Sequence, residues 1–295
     1  MRLTFRQAYG GLDYVTIASE QMERARQQVQ SGKRVEKPSD DPAAMQRSVE
    51  GRAEIRTLET YTRTGDSALS RLTAMDTVLG DIVDQLSQAK VATLSVRGSV
   101  ATQQQRDAAA LALEGIRDAI AGNLNTAVRG VYLFSGAAST SPSYVKVGAS
   151  WTYQGDNTPV GVNIGPSQTV DVTTDGQAVA QGTDATNILD ELEALIVAVR
   201  ADDQAGMAAG SAALDRAFAR TTRAQSRVGA DESAVADRQG QITPMRLGAL
   251  ARVSKDEDAD LAMAISEMTR AETAYRAALS AVGTASRTSL LDYVR

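Results

Sequence analysis

The sequence contains no cysteine and no histidine, and only 4% of its 295 residues are aromatic. The absence of cysteine excludes disulfides, thiolate metal sites and cysteine nucleophiles, and the absence of histidine removes the commonest metal ligand and general base. With so few aromatic rings, Ala, Leu, Ile and Val must bury most of the surface, which suits narrow helix-to-helix contacts. The sequence therefore gives no support for an enzyme, and we expect no catalytic residue, no cofactor and no metal site.

Strong charge and long apolar runs are also missing. The chain has 31 basic and 36 acidic residues, a net charge of -5, and no basic tract that would favour nucleic acid or an anionic membrane as a partner. No stretch approaches the length of a membrane span, and the first residues lack the apolar core of a secretory signal. We therefore expect the protein either to stay in the cytosol or to leave by a route that does not read such a signal.

Both ends of the chain carry the alternating three- and four-residue spacing of a coiled coil. The residues at this spacing form a seam along one face of each terminal helix, and in the first helix Ser19 and Arg26 are the polar members of that seam. Because termini normally fray, two patterned termini imply that each needs a helical partner, and the simplest partner for each is the other. The predicted assembly interface consists of Phe5, Leu12, Val15, Met22, Val29, Leu261, Met268, Tyr275, Val282, Leu290 and Leu291.

Long helices are predicted between these ends. The first should end at Ser31-Gly32, and Asp41 followed by Pro42 is a strong start signal for the second. A nearly unbroken seam then runs from Leu58 to Val96, and a return helix over about 102–129 should pair with it in antiparallel fashion. The remaining predicted seam positions of the second helix are Tyr61, Gly65, Ala68, Leu72, Met75, Leu79, Ile82, Leu86, Ala89 and Thr93.

Residues 131–183 differ from the rest of the chain. They are rich in Gly, Ser, Thr, Pro and Val and contain five β-type runs separated by turn signals. We expect a small β insert, and replacing Ser139–Gly182 within it by a short Gly/Ser linker should leave helical content and assembly largely intact. Helical pattern resumes near Asp184, breaks over 202–210, meets a kink or break at Pro244, and restarts at a capping-box pattern over 254–257.

The predicted fold class is mainly α: an elongated antiparallel helical bundle or coiled-coil rod with a small all-β insert. The predicted divisions are an N-terminal assembly helix and link (1–40), a helical rod domain (41–130 and 184–253), a small β outer domain (131–183) and a C-terminal assembly helix (254–295).

Two charged clusters have simple structural interpretations. The acidic run from Asp256 to Asp260 lacks the glycine and terminal glutamate of a calcium loop, and acidic residues complement the start of a helix. Lys33, Arg34 and Lys37 are interpreted as a solvated helix end. A basic membrane-surface helix over 1–30 is disfavoured because Asp13, Glu20 and Glu23 offset its positive charge.

Several short motifs resemble the bacterial flagellin superfamily, in the branch of its hook-associated proteins. The link Ser31-Gly32-Lys33-Arg34-Val35 followed by Pro38-Ser39-Asp40-Asp41-Pro42 resembles the N-terminal signature of that superfamily. Similar segments are Tyr132–Gly136 and Tyr153–Asp156 beside the β insert, and the C-terminal run from Asp258 through Ala274–Ala278 to Ser289–Tyr293.

The resemblance implies a structural subunit of the flagellum that joins hook to filament and polymerises through its terminal helices. Those helices would become ordered when neighbouring subunits cover them. It also implies a homo-oligomeric ring or tube, an adjacent hook-associated protein and flagellin as neighbours, a cytosolic export chaperone, and export through the flagellar type III channel to the cell exterior. Filament flagellin remains an alternative, and a cytosolic coiled-coil scaffold is a weaker one.

Overall fold

Helices dominate the computed structural model, which describes residues 2–98 and 101–293, with side chains over 13–98 and 101–284. The elements, in chain order, are α1 (Arg2–Ser31), α2 (Pro42–Val96), α3 (Gln103–Leu124), β1 (Ala127–Val128), β2 (Val131–Tyr132), β3 (Tyr144–Val147), β4 (Ser150–Tyr153), β5 (Gly161–Gly165), β6 (Gln168–Asp171), α4 (Gly176–Ala180), α5 (Ile188–Arg200), α6 (Gln204–Glu257) and α7 (Leu261–Tyr293).

The end of α1 and the start of α2 follow the local sequence signals. Gly32 adopts a positive φ of 68° and donates its N–H to the carbonyl of Gln28, at an N–O distance of 2.9 Å. The Asp41 carboxylate accepts the backbone N–H of Ala44 at 3.0 Å. Pro42 occupies the first helical position, where a backbone N–H would have no partner within the helix, so proline loses no hydrogen bond there. Both predicted boundaries are confirmed.

The chain divides into two compact units. The terminal unit contains the described residues up to Thr57 and from Met245 onward, and the central unit contains Leu58–Pro244. Helices α2 and α6 contribute residues to both units.

The seam predicted on α2 forms much of the core of the central unit. Of the predicted positions only Tyr61 is half-buried, and the side chains of Leu72, Met75 and Leu79 have no exposed surface. Burying one such side chain fully contributes about 1.5 to 3 kcal/mol of transfer free energy. The alternating three- and four-residue spacing, which selects two positions in every seven, therefore identifies the buried face of this helix correctly.

Polar pairs show that α2 and α6 run antiparallel within the central unit. Gln239 donates to Asp66 at 2.7 Å, Thr73 donates to Glu232 at 2.8 Å, and Lys90 contacts Asp215. Residue numbers rise along α2 as they fall along α6. These contacts are exposed, so they specify register more than they stabilise the pair.

Helix α6 differs from its predicted course in two places. The break expected over 202–210 is a short turn, because α5 ends at Arg200 and α6 begins at Gln204. Pro244 lies inside α6 and does not end it. Proline removes one backbone donor, yet the helix continues past it, and Ile242 and Ala249 on either side are buried.

The β segment consists of three separate antiparallel hairpins, β1–β2, β3–β4 and β5–β6. Its buried residues Leu133, Phe134, Tyr144 and Ile164 belong to the same hydrophobic cluster as residues of the surrounding helices. The expectation that helical content survives replacement of Ser139–Gly182 stays a prediction, although that replacement would remove the core residues Tyr144 and Ile164. The predicted domain divisions remain a prediction.

The two motifs beside the β segment, Tyr132–Gly136 and Tyr153–Asp156, lie in contact. Asp156 donates its N–H to the carbonyl of Ser135 at 3.0 Å, and the Tyr153 hydroxyl lies 3.1 Å from the carbonyl oxygen of Phe134. Gly136 has a φ of 56°, and a Cβ atom there would lie 1.9 Å from the Asp156 carbonyl oxygen. Glycine is thus required at this position by both conformation and space.

Candidate assembly interface

Helices α1 and α7, from the two ends of the chain, pack side by side within one molecule. They run antiparallel, because α1 ends where α7 begins and residues Lys33 and Asp258 form an antiparallel bridge there. A shallow groove between them is lined by Ala25 of α1 and by Ala271 and Ala274 of α7. The structure therefore brings the two patterned termini together within one chain.

Most predicted interface residues with described side chains lie along this contact. Val15, Met22, Val29, Met268, Tyr275 and Val282 are half-buried. Leu261 is 52% exposed because it occupies the first position of α7, one turn before the seam begins at buried Ala264. The side chains of Phe5, Leu12, Leu290 and Leu291 lie outside the described residues. The use of these residues between subunits remains a prediction.

On α1, the seam follows a different register from the one predicted. Ala18 and Ala25 are buried, whereas Ser19 is half-buried and Arg26 is exposed. The contact positions therefore step as Val15, Ala18, Met22, Ala25 and Val29. Alanine gives a weaker hydrophobic signal than its larger neighbours, yet its small side chain lets two helix backbones approach closely.

Large apolar side chains also project away from the α1–α7 seam. Tyr14 and Ile17 of α1 are 72% and 52% exposed and lie three residues apart, so they share a face. Met263 and Ile265 of α7 are 62% and 50% exposed. The alternating three- and four-residue spacing does not place these residues in the seam, although their hydrophobicity is visible in the sequence. Apolar surface of this kind is typical of an element that meets further partners.

A cluster of charged groups, here called the corner clasp, lies where α1 and α7 approach α2 and α6. Its members are Lys33, Ser48, Arg52 and Glu257. The Glu257 side chain is buried and accepts hydrogen bonds from the Ser48 hydroxyl, the Arg52 guanidinium and, at 3.0 Å, the Lys33 ammonium. These donors come from the link after α1 and from α2, while Glu257 is the last residue of α6.

Backbone hydrogen bonds join the same segments. The Glu257 carbonyl accepts the N–H groups of Arg34 at 2.6 Å and Val35 at 3.2 Å, and Gly32 accepts the N–H of Ala259 at 2.9 Å. Val35 is only 2% exposed beneath this ladder. The link that leaves α1 is thus fixed to the bend that enters α7.

Opposing effects determine the charge state of Glu257. Burial by itself would raise the pKa of its carboxyl, but hydrogen bonds from Arg52, Ser48 and Lys33 outweigh burial and lower the pKa to about 2. The neighbouring Asp256 also has a lowered pKa, chiefly because Arg47 donates to it. Glu257 is therefore ionised at any neutral or mildly acidic pH.

The acidic run lies in a different place from the one predicted. Ser254–Glu257 is the predicted start of the final helix, but it forms the last turn of α6, and α7 begins at Leu261. Asp260 accepts the N–H of Ala262 at 2.9 Å and so caps α7. Of the basic cluster interpreted as solvated, Arg34 and Lys37 are exposed, whereas the Lys33 side chain is 38% exposed and also pairs with Glu257. The partners lie 224 residues apart in sequence, and no local pattern links them.

The described residues contain no group of three or more His, Cys, Asp or Glu side chains arranged to hold a metal ion. Over the same part of the chain, no helix is both long enough and apolar enough to cross a membrane.

Comparison with known families identifies the first part of the chain. Residues 8–139 match the model of the bacterial flagellin N-terminal helical region. This part of the chain is therefore similar to the helical region at the start of bacterial flagellins. The flagellin region includes most of α1, the link with Lys33, all of α2 and α3, and the β1–β2 hairpin. Two of the segments that carry the corner clasp therefore lie within it.

Solved structures share the fold around this flagellin region. A Vibrio parahaemolyticus chain assigned as a flagellar hook-associated protein is 21% identical, with a TM-score of 0.69 over 74% of this chain and 100% of that one. Flagellar hook associated protein-3 of Legionella pneumophila is 13% identical, with a TM-score of 0.63 over 70% and 97%. Bacillus cereus FlgL is 14% identical, with a TM-score of 0.61 over 70% and 99%.

These likenesses establish a fold of the FlgL type for this chain. A comparison with curated protein sequences yields no match.

Proposed function

We propose that this protein is a structural subunit of the bacterial flagellum that joins the hook to the filament. The flagellin N-terminal region and the FlgL-type fold support this function. The observation that carries it is the α1–α7 pair, in which both ends of one chain meet along a narrow seam and still expose large apolar side chains.

In this proposal the α1–α7 pair forms first, and neighbouring subunits then cover its exposed faces during assembly. The larger seam residues are half-buried, so the pair by itself gains only part of their transfer free energy. Neighbouring copies in a ring or tube would cover Tyr14, Ile17 and Ile265, and each side chain fully removed from water contributes about 1.5 to 3 kcal/mol. Polymerisation therefore stabilises terminal helices that are marginal alone.

The predicted divisions acquire roles on this basis. Residues 1–40 and 254–295 provide the assembly helices and link, with the final helix itself starting at Leu261. Residues 41–130 and 184–253 form the helical scaffold, and 131–183 form the outer β region. A hook-associated protein and flagellin are the proposed neighbours, and a cytosolic export chaperone is the proposed partner before export without a cleaved signal peptide.

Immunogold electron microscopy of detached flagella tests this function. We expect label in one band between hook and filament, and cells lacking the protein should build hooks, retain no filaments and release flagellin into the medium. Label along the whole filament would identify a filament flagellin instead. Label confined to the cell interior would identify a cytosolic scaffold and overturn the proposal.

A further inference from the structure

Glu257 occupies an unfavourable place for a carboxylate. It is the last residue of α6, where the helix dipole favours positive charge, and its side chain is only 6% exposed. A buried charge is tolerated when it is paired and hydrogen-bonded, and Glu257 has three side-chain donors. Two of them, Lys33 and Arg52, carry full positive charges. The residue therefore has a local cost that its distant contacts offset.

Glu257 lies beside the end of α1 and the start of α7, here called the roots of the terminal helices. Lys33 lies two residues after the end of α1, and α7 begins four residues after Glu257. The Glu257 carbonyl also accepts the N–H groups of Arg34 and Val35. One residue thus fixes the link from α1 by side chain and backbone, and fixes α2 through Ser48 and Arg52.

We propose that Glu257 is the positioning residue of assembly, which holds the roots of α1 and α7 together so that their seams meet in register. This inference rests on the proposed function for its assembly readout alone. Two antiparallel helices with an alanine-rich seam can slide by a turn at little cost, since small side chains interlock weakly. The corner clasp at one end prevents this sliding, so the exposed apolar side chains of α1 and α7 keep one relative position.

An experiment on Glu257 must separate its own ion pairs from the other ion pairs nearby. Lys33 faces it from the link and Arg52 faces it from α2, while Arg47 pairs with Asp256 at 2.8 Å and Arg34 pairs with Asp41 at 3.4 Å. The Arg47–Asp256 pair lies beside the clasp but is more exposed. Asp256→Asn is therefore a matched control: it removes one acidic charge next to Glu257 and leaves the clasp intact.

Hydrogen exchange of the purified full-length chain tests the positioning role. In Glu257→Gln we expect amides of 13–31 and 261–284 to exchange at least tenfold faster, while amides of α2 within 58–96 keep their rates. Asp256→Asn should change the terminal amides less than threefold. Lys33→Met, which removes the link contact and leaves Ser48 and Arg52 on Glu257, should fall between the two.

A dependence on pH distinguishes positioning by the charge from ordinary packing. The ratio of terminal to central exchange rates should rise in wild type as pH falls from 6 to 3, and the rise should be at least halved in Glu257→Gln. Equal acceleration of terminal and central amides would show a general loss of stability and overturn the inference. Unchanged terminal exchange in Glu257→Gln would overturn it as well.

Incorporation into flagella completes the test. Glu257→Gln should reduce the immunogold band at least tenfold, and Asp256→Asn should leave it unchanged. If wild type forms the band and Glu257→Gln forms it equally well, the positioning role is wrong and the proposed function stands. If wild type forms no band, the proposed function fails, and the exchange rates alone decide the role of Glu257.

Discussion

Two seams with the same hydrophobic spacing behave differently in this molecule. On α2 the predicted positions Leu72, Leu79 and Ile82 are almost completely buried, whereas Met22 and Tyr275 in the α1–α7 pair are only half-buried. The difference lies in the surroundings, because the α2 positions belong to a hydrophobic cluster that also includes residues of α3, α5, α6 and the β segment, whereas α1 packs mainly against α7. Spacing identifies the face of a helix that will be buried, and the surroundings determine how completely.

The largest effect should follow from a charge placed in the fully buried seam. Ile82→Asp would bury a carboxylate without a partner and lower the free energy of unfolding by about 3 to 5 kcal/mol. Asp81→Ala, at the exposed neighbouring position, should change it by less than about 0.5 kcal/mol. Thermal or urea unfolding of both variants measures the difference. Equal stability would contradict the burial of this seam.

A smaller effect is expected at the contact of the two motifs beside the β segment. Gly136→Ala would place a methyl group against the Asp156 carbonyl in a left-handed backbone conformation, at a cost of about 3 kcal/mol. Gly148 also has a positive φ, but a methyl group there would meet no atom within 4 Å, so Gly148→Ala should cost about 1 kcal/mol. The difference between the two melting curves isolates the clash, and identical curves would exclude it.

Acid should weaken the terminal unit selectively. The pKa of Glu257 is lowered to about 2 from an unfolded value of roughly 4.3, so its stabilisation is complete above the unfolded value and disappears as pH falls toward 2. Asp41 and Asp256 also have lowered pKa values and act in the same direction. Limited proteolysis at pH 6 and pH 3 with an acid-active protease should show earlier cleavage in α1 and α7 at the lower pH. Unchanged cleavage would contradict this linkage.

The smallest effect on the free molecule should come from charges in the half-buried seam. Val15→Asp and Val282→Asp should lower overall stability by about 1 kcal/mol or less, because α1 and α7 contribute little to the central core. Both variants should nevertheless prevent incorporation at the hook tip, where a charge in a covered seam has no partner. Cells should then release flagellin, as measured in the culture medium. A normal filament in either variant would show that this seam is not part of the assembly interface.

Sequence patterns predict some parts of the terminal unit better than others. On α7 the positions Ala264, Met268, Tyr275 and Val282 follow the predicted seam. On α1 the predicted register is wrong, because alanines one position from Ser19 and Arg26 make the contact. Burial of alanine depends on how closely a second helix approaches, and a single sequence does not reveal that distance.

The sequence by itself determined the end of α1, the cap of α2 and the buried face of α2, because capping and heptad spacing depend on residues within a few turns of one another. It also revealed the flagellin-type link and the patterned ends. Only the tertiary structure decided that Glu257 ends α6 and joins Lys33 to Arg52, and that the β segment shares the central core. Those contacts join residues far apart in sequence, and their strength depends on burial and distance that exist only in the folded chain.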